Sequence, residues 1–209
     1  MQKFNLYLFD FDGTLFDTLA SSKYVFKKSY AAMGIDIEEE EVVAFTRIPI
    51  PEGYAKVGAP PEQFILFLNN LLKYVSTTES INLTKIFPDT YEVLLDLRSA
   101  EAELGIVTSN NAKHVKRILK KYYMQDYFFS VIVGYEEAPI SKPDPSPILK
   151  ALEMLKYQGD KSDVCYVGDS LNDCKAATNA GVTPILLDRE NEYPDTPYLK
   201  IVSLNDLLR

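Results

Sequence analysis

Apolar residues gather along this chain in five short runs that all end alike. Leu6-Tyr7-Leu8-Phe9 stops at Asp10, Leu104-Gly105-Ile106-Val107 at Thr108, and Val131-Ile132-Val133 at Gly134. Val164-Cys165-Tyr166-Val167 stops at Gly168-Asp169, and Pro184-Ile185-Leu186-Leu187 at Asp188. Runs without polar alternation predict strands buried on both faces, as in a parallel sheet flanked by helices. Helical spacing separates most of them. Val115, Ile118 and Leu119 recur among Lys and Arg between Asn110 and Lys121, and Ile148, Leu149, Leu152 and Leu155 between Pro147 and Tyr157. A third helix is predicted from about Ser170 to a stop at Gly181. The pattern predicts a doubly wound, mostly parallel α/β core, in which ligands bind at the carboxyl ends of the strands. The polar residues that end the runs then share one rim.

The spacing breaks once. The first strand ends near Asp12 and the next begins near Leu104, a gap longer than one crossover helix needs. Within it, helices are predicted from about Asp17 to Met33, stopped by Gly34, through Glu38-Glu39-Glu40-Glu41 toward Phe45, and from Pro61 to Val75. Thr46 to Tyr54, rich in proline, reads as a loop entering a short helix, and Ser76-Thr77-Thr78-Glu79-Ser80 as a connector. Residues 16–81 are expected to be an all-helical insertion, with 1–15 and 82–209 forming one discontinuous core.

Composition narrows the class. With 46% apolar and 25% charged residues, the 209-residue chain is unlike disordered, collagen-like or coiled-coil sequences. No apolar run approaches the roughly 20 residues that span a bilayer. Acids interrupt the apolar N-terminal stretch, so no signal peptide is read and a cytoplasmic location is expected, with no membrane partner. Two cysteines without CxxC spacing make neither a disulfide framework nor a structural zinc site. A net charge of −8 opposes nucleic-acid binding. Taken alone, it opposes a phosphorylated substrate too.

The rim carries the candidate chemistry. Asp10-Phe11-Asp12-Gly13-Thr14 places two carboxylates at a strand end, and Gly13 lets the chain turn sharply after them. Like charges so close require either a cation or a protonated carboxyl. Hard oxygen donors without a His or Cys cluster favour Mg2+ over softer-site metals. The plainer reading is a pair of strand-end aspartates capping the next helix. Gly168-Asp169-Ser170-Leu171-Asn172-Asp173 puts Asp169 within reach of the same cation, with Asp173 either ligating through water, orienting a neighbour, or serving as a first-turn acid. Thr108-Ser109-Asn110 leads from a strand into a helix and is suited to anion binding, to capping, or to both. Lys142 lies on the proline-bounded turn Ile140-Ser141-Lys142-Pro143-Asp144-Pro145. Bland roles are expected elsewhere: His114 as a solvated surface residue, Cys165 as a buried hydrophobe, and Tyr122, Tyr123, Tyr127, Phe128 and Phe129 as helix–sheet packing.

In this order, Asp10-x-Asp12-Gly13-Thr14, Thr108, Lys142 and Gly168-Asp169-x-x-x-Asp173 resemble the four motifs of the haloacid dehalogenase superfamily, in its phosphoglycolate phosphatase and β-phosphoglucomutase-like branch. The resemblance spans nearly the whole chain. It implies a Rossmann-like core with a helical cap inserted after the first motif, and a phosphatase acting on a small phosphorylated metabolite. It implies further that Asp10 is the nucleophile that forms an aspartyl-phosphate and Asp12 the general acid and base. Mg2+ would be held by the Asp10 carboxylate, the Asp12 carbonyl and Asp169, and the phosphoryl oxygens by Thr108, the Ser109 N–H and Lys142. Gly13, Asp173 and Asn110 support the site. Such equipment suits phosphoryl transfer, which is chiefly positioning and charge neutralisation.

Two positions depart from that branch. Arg47 stands in the cap loop where glycine is common, and a guanidinium there is suited to a second anionic group of the substrate; a cap-surface salt bridge is the other reading. Phe87-Pro88-Asp89-Thr90 carries Asp89 where the branch commonly has glycine, a change to which the sequence attaches no function. A phosphomutase and a pyrophosphatase use the same residues and stay open, as does, outside the enzymes, a receiver-like domain holding a phospho-aspartate signal. A dehalogenase would leave Asp12 without a role. The chain is expected to act as a monomer or homodimer.

Overall fold

The computed structural model describes residues 3–45, 48, 50–124 and 128–209. In chain order its elements are β1 (Leu6–Phe9), β2 (Phe16–Asp17), α1 (Leu19–Ala31), α2 (Glu39–Phe45), α3 (Ile50–Lys56), α4 (Phe64–Val75), α5 (Thr78–Leu83) and β3 (Lys85–Ile86). There follow α6 (Thr90–Ser99), β4 (Glu103–Val107), α7 (Ala112–Lys121), β5 (Val131–Val133), α8 (Ser146–Met154), β6 (Val164–Gly168), α9 (Leu171–Ala180), β7 (Thr183–Leu187), β8 (Leu199–Ile201) and a 3-10 helix, Leu204–Leu208. The chain divides into two units, Met1–Phe16 with Ile86–Arg209, and Asp17–Lys85.

The first unit is built on a six-stranded sheet of order β5-β4-β1-β6-β7-β8, parallel at every pairing. Its central strands are apolar throughout because helices cover both faces. Leu6, Leu8, Val107, Val164 and Tyr166 pack with Ile148 and Ala151 of α8 and with Ala176, Ala177 and Ala180 of α9. The alanines let α9 approach the sheet closely. All five predicted strands form. The sequence pattern offered no sign of β8, a three-residue edge strand following a proline-containing loop.

The second unit is helical. Val25, Tyr30, Val42, Phe45, Tyr54 and Phe67 share one core, in which the rings of Tyr30 and Phe67 lie 4.5 Å apart. The segment Ser76–Ser80, expected as a connector, instead enters a helix. The Thr77 hydroxyl accepts a hydrogen bond from the Ser80 N–H, a side-chain cap sufficient to start α5. Chain departure and return are joined locally, since β2 and β3 pair as a separate two-stranded sheet.

Candidate active site

Because β4, β1 and β6 are neighbours in parallel, their carboxyl ends bring Thr108, Asp10 and Asp169 to one rim. Register extends past the strands: the Asp10 N–H donates to Val167 O at 2.8 Å and the Thr108 N–H to Val133 O at 3.0 Å. After Asp10 the backbone turns back on itself, with Gly13 N–H donating to Phe16 O and the N–H groups of Leu15 and Phe16 both donating to Phe11 O. Gly13 holds φ +79°, and a Cβ there would collide with the Asp169 carboxylate. Glycine is required both by conformation and by space.

Two charge environments result. On one side the carboxylates of Asp10, Asp169 and Asp173 offer oxygens within 4.8 Å of one another. Lys142 reaches between them, its Nζ donating to Asp10 Oδ1 at 2.7 Å, to Asp173 Oδ1 at 2.6 Å and to the Tyr166 hydroxyl at 3.0 Å. Tyr166 passes its own proton to Val107 O at 2.7 Å, which aims its lone pairs at the ammonium. Asp173 is fixed by a capping box with Ser170, the Ser170 hydroxyl and N–H both donating to Asp173 Oδ2. Asp173 is therefore more than a first-turn acid. Burial, with Asp173, Asp169 and Asp12 nearby, pushes the Asp10 carboxyl well above its ordinary range despite the opposing pull of Lys142. Burial and Asp173 raise Asp169 to about 7. Burial works against the Lys142 charge, but Asp10 and Asp173 outweigh it and hold the ammonium protonated well beyond its usual range.

On the other side Asp12 faces polar donors. Asn110 Nδ2 lies 3.3 Å from both Asp12 oxygens, and the Thr108 hydroxyl lies 3.4 Å from Oδ2. The expected row of free N–H groups after β4 is mostly committed. Asn110 N–H donates to Thr108 Oγ1, Asn111 N–H to Asn110 Oδ1, and His114 N–H to Asn111 Oδ1, which makes Asn111 the N-cap of α7. The Ala112 N–H donates to Glu136, whose carboxylate also accepts from the Asn111 side chain. Ser109 is exposed, and among the described residues its N–H donates to no protein group.

Sequence reasoning missed Tyr166. Its one signal was a phenol in a fully buried strand, where the hydroxyl must find a partner. It also misplaced His114, which is only 4% exposed, because it sits one helical turn before Ile118 on the inward side of α7. Tyr123, expected to pack, is 92% exposed. Arg47 lies outside the described residues, as does Tyr127.

Residues 7–187 match the profile of the haloacid dehalogenase-like hydrolases. The chain belongs to this family. Among individual relatives, it is 33% identical over 187 residues to a protein of Caldanaerobacter subterraneus subsp. tengcongensis provisionally named pyrophosphatase PpaX, the match covering 88% of this chain and 81% of the relative. It is 31% identical over 186 residues to the phosphoglycolate phosphatase of Caulobacter vibrioides, covering 86% and 77% respectively. A solved haloacid dehalogenase-like hydrolase of Bacteroides fragilis, so named provisionally, superposes with a TM-score of 0.83 at 27% identity, over 95% of this chain and 96% of that one. Membership of a hydrolase family sets aside the receiver-like alternative. Among the described residues no helix is long and apolar enough to cross a membrane.

A divalent cation fits the donor set of this hydrolase. Three converging carboxylates, two of them strongly resisting ionisation, are offset by one lysine, and hard oxygen donors of this kind suit Mg2+ or a similar ion.

Proposed function

We propose that this hydrolase is a Mg2+-dependent phosphatase of small phosphorylated metabolites, acting through an aspartyl-phosphate on Asp10. The observation that carries the reading is the Lys142 ammonium held between Asp10 and Asp173 beside Asp169. Asp10, Asp169 and the Asp12 carbonyl would hold the metal. When bound, the cation supplies positive charge against the phosphoryl oxygens and lets Asp10 ionise.

In the first half-reaction an Asp10 carboxylate oxygen bonds to phosphorus, the phosphorus–ester oxygen bond breaks, and the leaving oxygen takes a proton from Asp12. In the second, Asp12 takes a proton from water, the water oxygen bonds to phosphorus, and the bond to Asp10 breaks. Two carboxyls on opposite sides of one site, in different surroundings, suit this division of nucleophile from acid and base. Lys142 has three N–H groups, all committed within the protein. A phosphoryl group arriving on Asp10 exchanges with the Asp10 acceptor, while Asp173 and Tyr166 keep the ammonium in place. The Thr108 hydroxyl and the free Ser109 N–H complete the anion cradle.

The printed names of the relatives divide between pyrophosphatase and phosphoglycolate phosphatase. A phosphate-release screen in Mg2+ over small phosphate esters, sugar phosphates and pyrophosphate therefore tests the proposal. Release from at least one member is expected, with Asp10→Asn inactive but folded by circular dichroism. Full activity in Asp10→Asn overturns the nucleophile assignment, and sugar-phosphate isomerisation without net release identifies a phosphomutase.

A further inference from the structure

Outside the reacting groups, one half-buried ion pair touches the nucleophile loop. Arg189, just past the end of β7, makes a two-pronged pair with Asp89, Nη1 to Oδ2 at 2.9 Å and Nη2 to Oδ1 at 2.9 Å. The same Nη2 donates to Thr14 O at 3.2 Å, inside the loop that follows Asp10 and Asp12. The guanidinium lies 4.1 Å from the Phe87 ring centre. Asp89 also accepts from the Ser203 hydroxyl at 2.7 Å and from the Leu204 N–H at 2.9 Å, where the C-terminal 3-10 helix begins. The next loop carbonyl, Leu15 O, is gripped from the same segment by the Thr90 hydroxyl at 2.9 Å and the Phe87 N–H at 3.2 Å.

We infer that Arg189, aimed by Asp89, is a positioning residue for the chemistry at Asp10 and Asp12, and that it acts through the backbone of their loop. The loop's internal bonds join Phe11 to Leu15 and Phe16, and Gly13 to Phe16, so they fix its shape but not its seat on the rim. Between the Asp10 N–H bond to Val167 O at its start and the β2–β3 pairing at its end, its outward carbonyls at Thr14 and Leu15 are further handles by which the chain holds it. Arginine suits this place because its planar fork meets both oxygens of one carboxylate from separate nitrogens and still reaches a carbonyl, a geometry the single nitrogen of a lysine does not offer. Asp89 and Ser203 extend the hold to the last residues of the chain, which lie far from the reacting groups in sequence.

The inference rests on the phosphatase reading for its kinetic effect, though not for the clamp itself, and two readouts keep these apart. Amide hydrogen exchange in Arg189→Ala should accelerate at Gly13, Leu15 and Phe16, whose N–H groups close the loop. It should not change there in Asp160→Ala, which removes an exposed cap from the 3-10 turn Lys161–Asp163 and serves as the control. Kinetics of phosphate release from p-nitrophenyl phosphate, at a temperature where every variant is folded, should show kcat lowered about 10- to 100-fold in Arg189→Ala, because small misplacements of reacting groups are costly. KM should stay within about threefold of wild type, as expected when ground-state binding survives. Arg189→Lys and Asp89→Asn should fall between, and they carry the test should Arg189→Ala not fold. Unchanged loop exchange overturns the clamp whether or not any ester is hydrolysed. Accelerated exchange with unchanged kcat overturns its part in the chemistry. A wild-type protein that hydrolyses no ester defeats the phosphatase reading alone, and exchange still decides the clamp.

Discussion

Asp169 is held against its own charge. Its carboxyl is raised from an ordinary value of 3.8 to about 7, chiefly by burial and then by Asp173. A carboxyl that binds its proton more tightly in the folded state than in the unfolded one lowers stability as pH rises between the two values. Without metal, Asp169 should therefore cost stability as pH rises from about 4 to about 7, and Asp169→Asn should remove that share of the slope, leaving the share of the raised Asp10 carboxyl. At pH 8 the metal-free variant should melt above wild type, by about 2–4 °C for each kcal/mol of repulsion relieved in a chain of this size. Calorimetric melts of both proteins in chelator across that pH range check this, and a variant no more stable than wild type would show that the cluster is not under electrostatic strain. A site built for a reaction commonly costs stability in this way.

Among the elements, the C-terminal 3-10 helix depends on a partner more than a hundred residues away. Asp89 receives Arg189, Ser203 and the Leu204 N–H, and these donors hold its carboxyl below the ordinary range although burial pushes the other way. The sign is opposite to that of Asp169. Stability from Asp89 is fully present above an unfolded value near 3.8 and is lost as pH falls through the lower folded value. Asp89→Asn should cost about 1.5–3 kcal/mol near neutrality, the range for hydrogen bonds to a charged group, and the gap should narrow as pH falls below 3.8. Urea titrations at pH 7 and pH 3 measure it. Sequence patterns expose some elements and hide others for physical reasons. A strand covered on both faces must be apolar along its length, so β1, β4 and β6 and the polar residues that end them could be read directly. The bonds that orient those residues could not. Lys142 meets Tyr166 and Asp173, and Asp89 meets Arg189, through packing between distant segments with no local signature. The edge strand β8 is too short to establish a period, and His114 reads as polar surface unless the inward side of α7 is already known.

For the whole molecule, the charge balance takes on a specific meaning. The net −8 speaks against polyanion partners, yet the rim where phosphate would bind is itself acidic. Asp10, Asp12, Asp169 and Asp173 against Lys142 leave it formally three charges negative. A divalent cation reduces that to one. Inorganic phosphate should therefore raise the melting temperature only when Mg2+ is present, by the usual linkage of ligand binding to stability. Phosphate stabilisation in chelator equal to that in Mg2+ would contradict the proposed role of the metal.

The paired exit and return strands, β2 and β3, bear on how such a chain can change over generations. Because the two ends of the helical segment are already fastened side by side, its length adds little to the entropy of closing the loop, which grows only logarithmically with the number of residues. Selection can lengthen, shorten or replace that segment without reopening the register of the catalytic sheet. The helical segment and the sheet unit can then diverge at different rates within one gene.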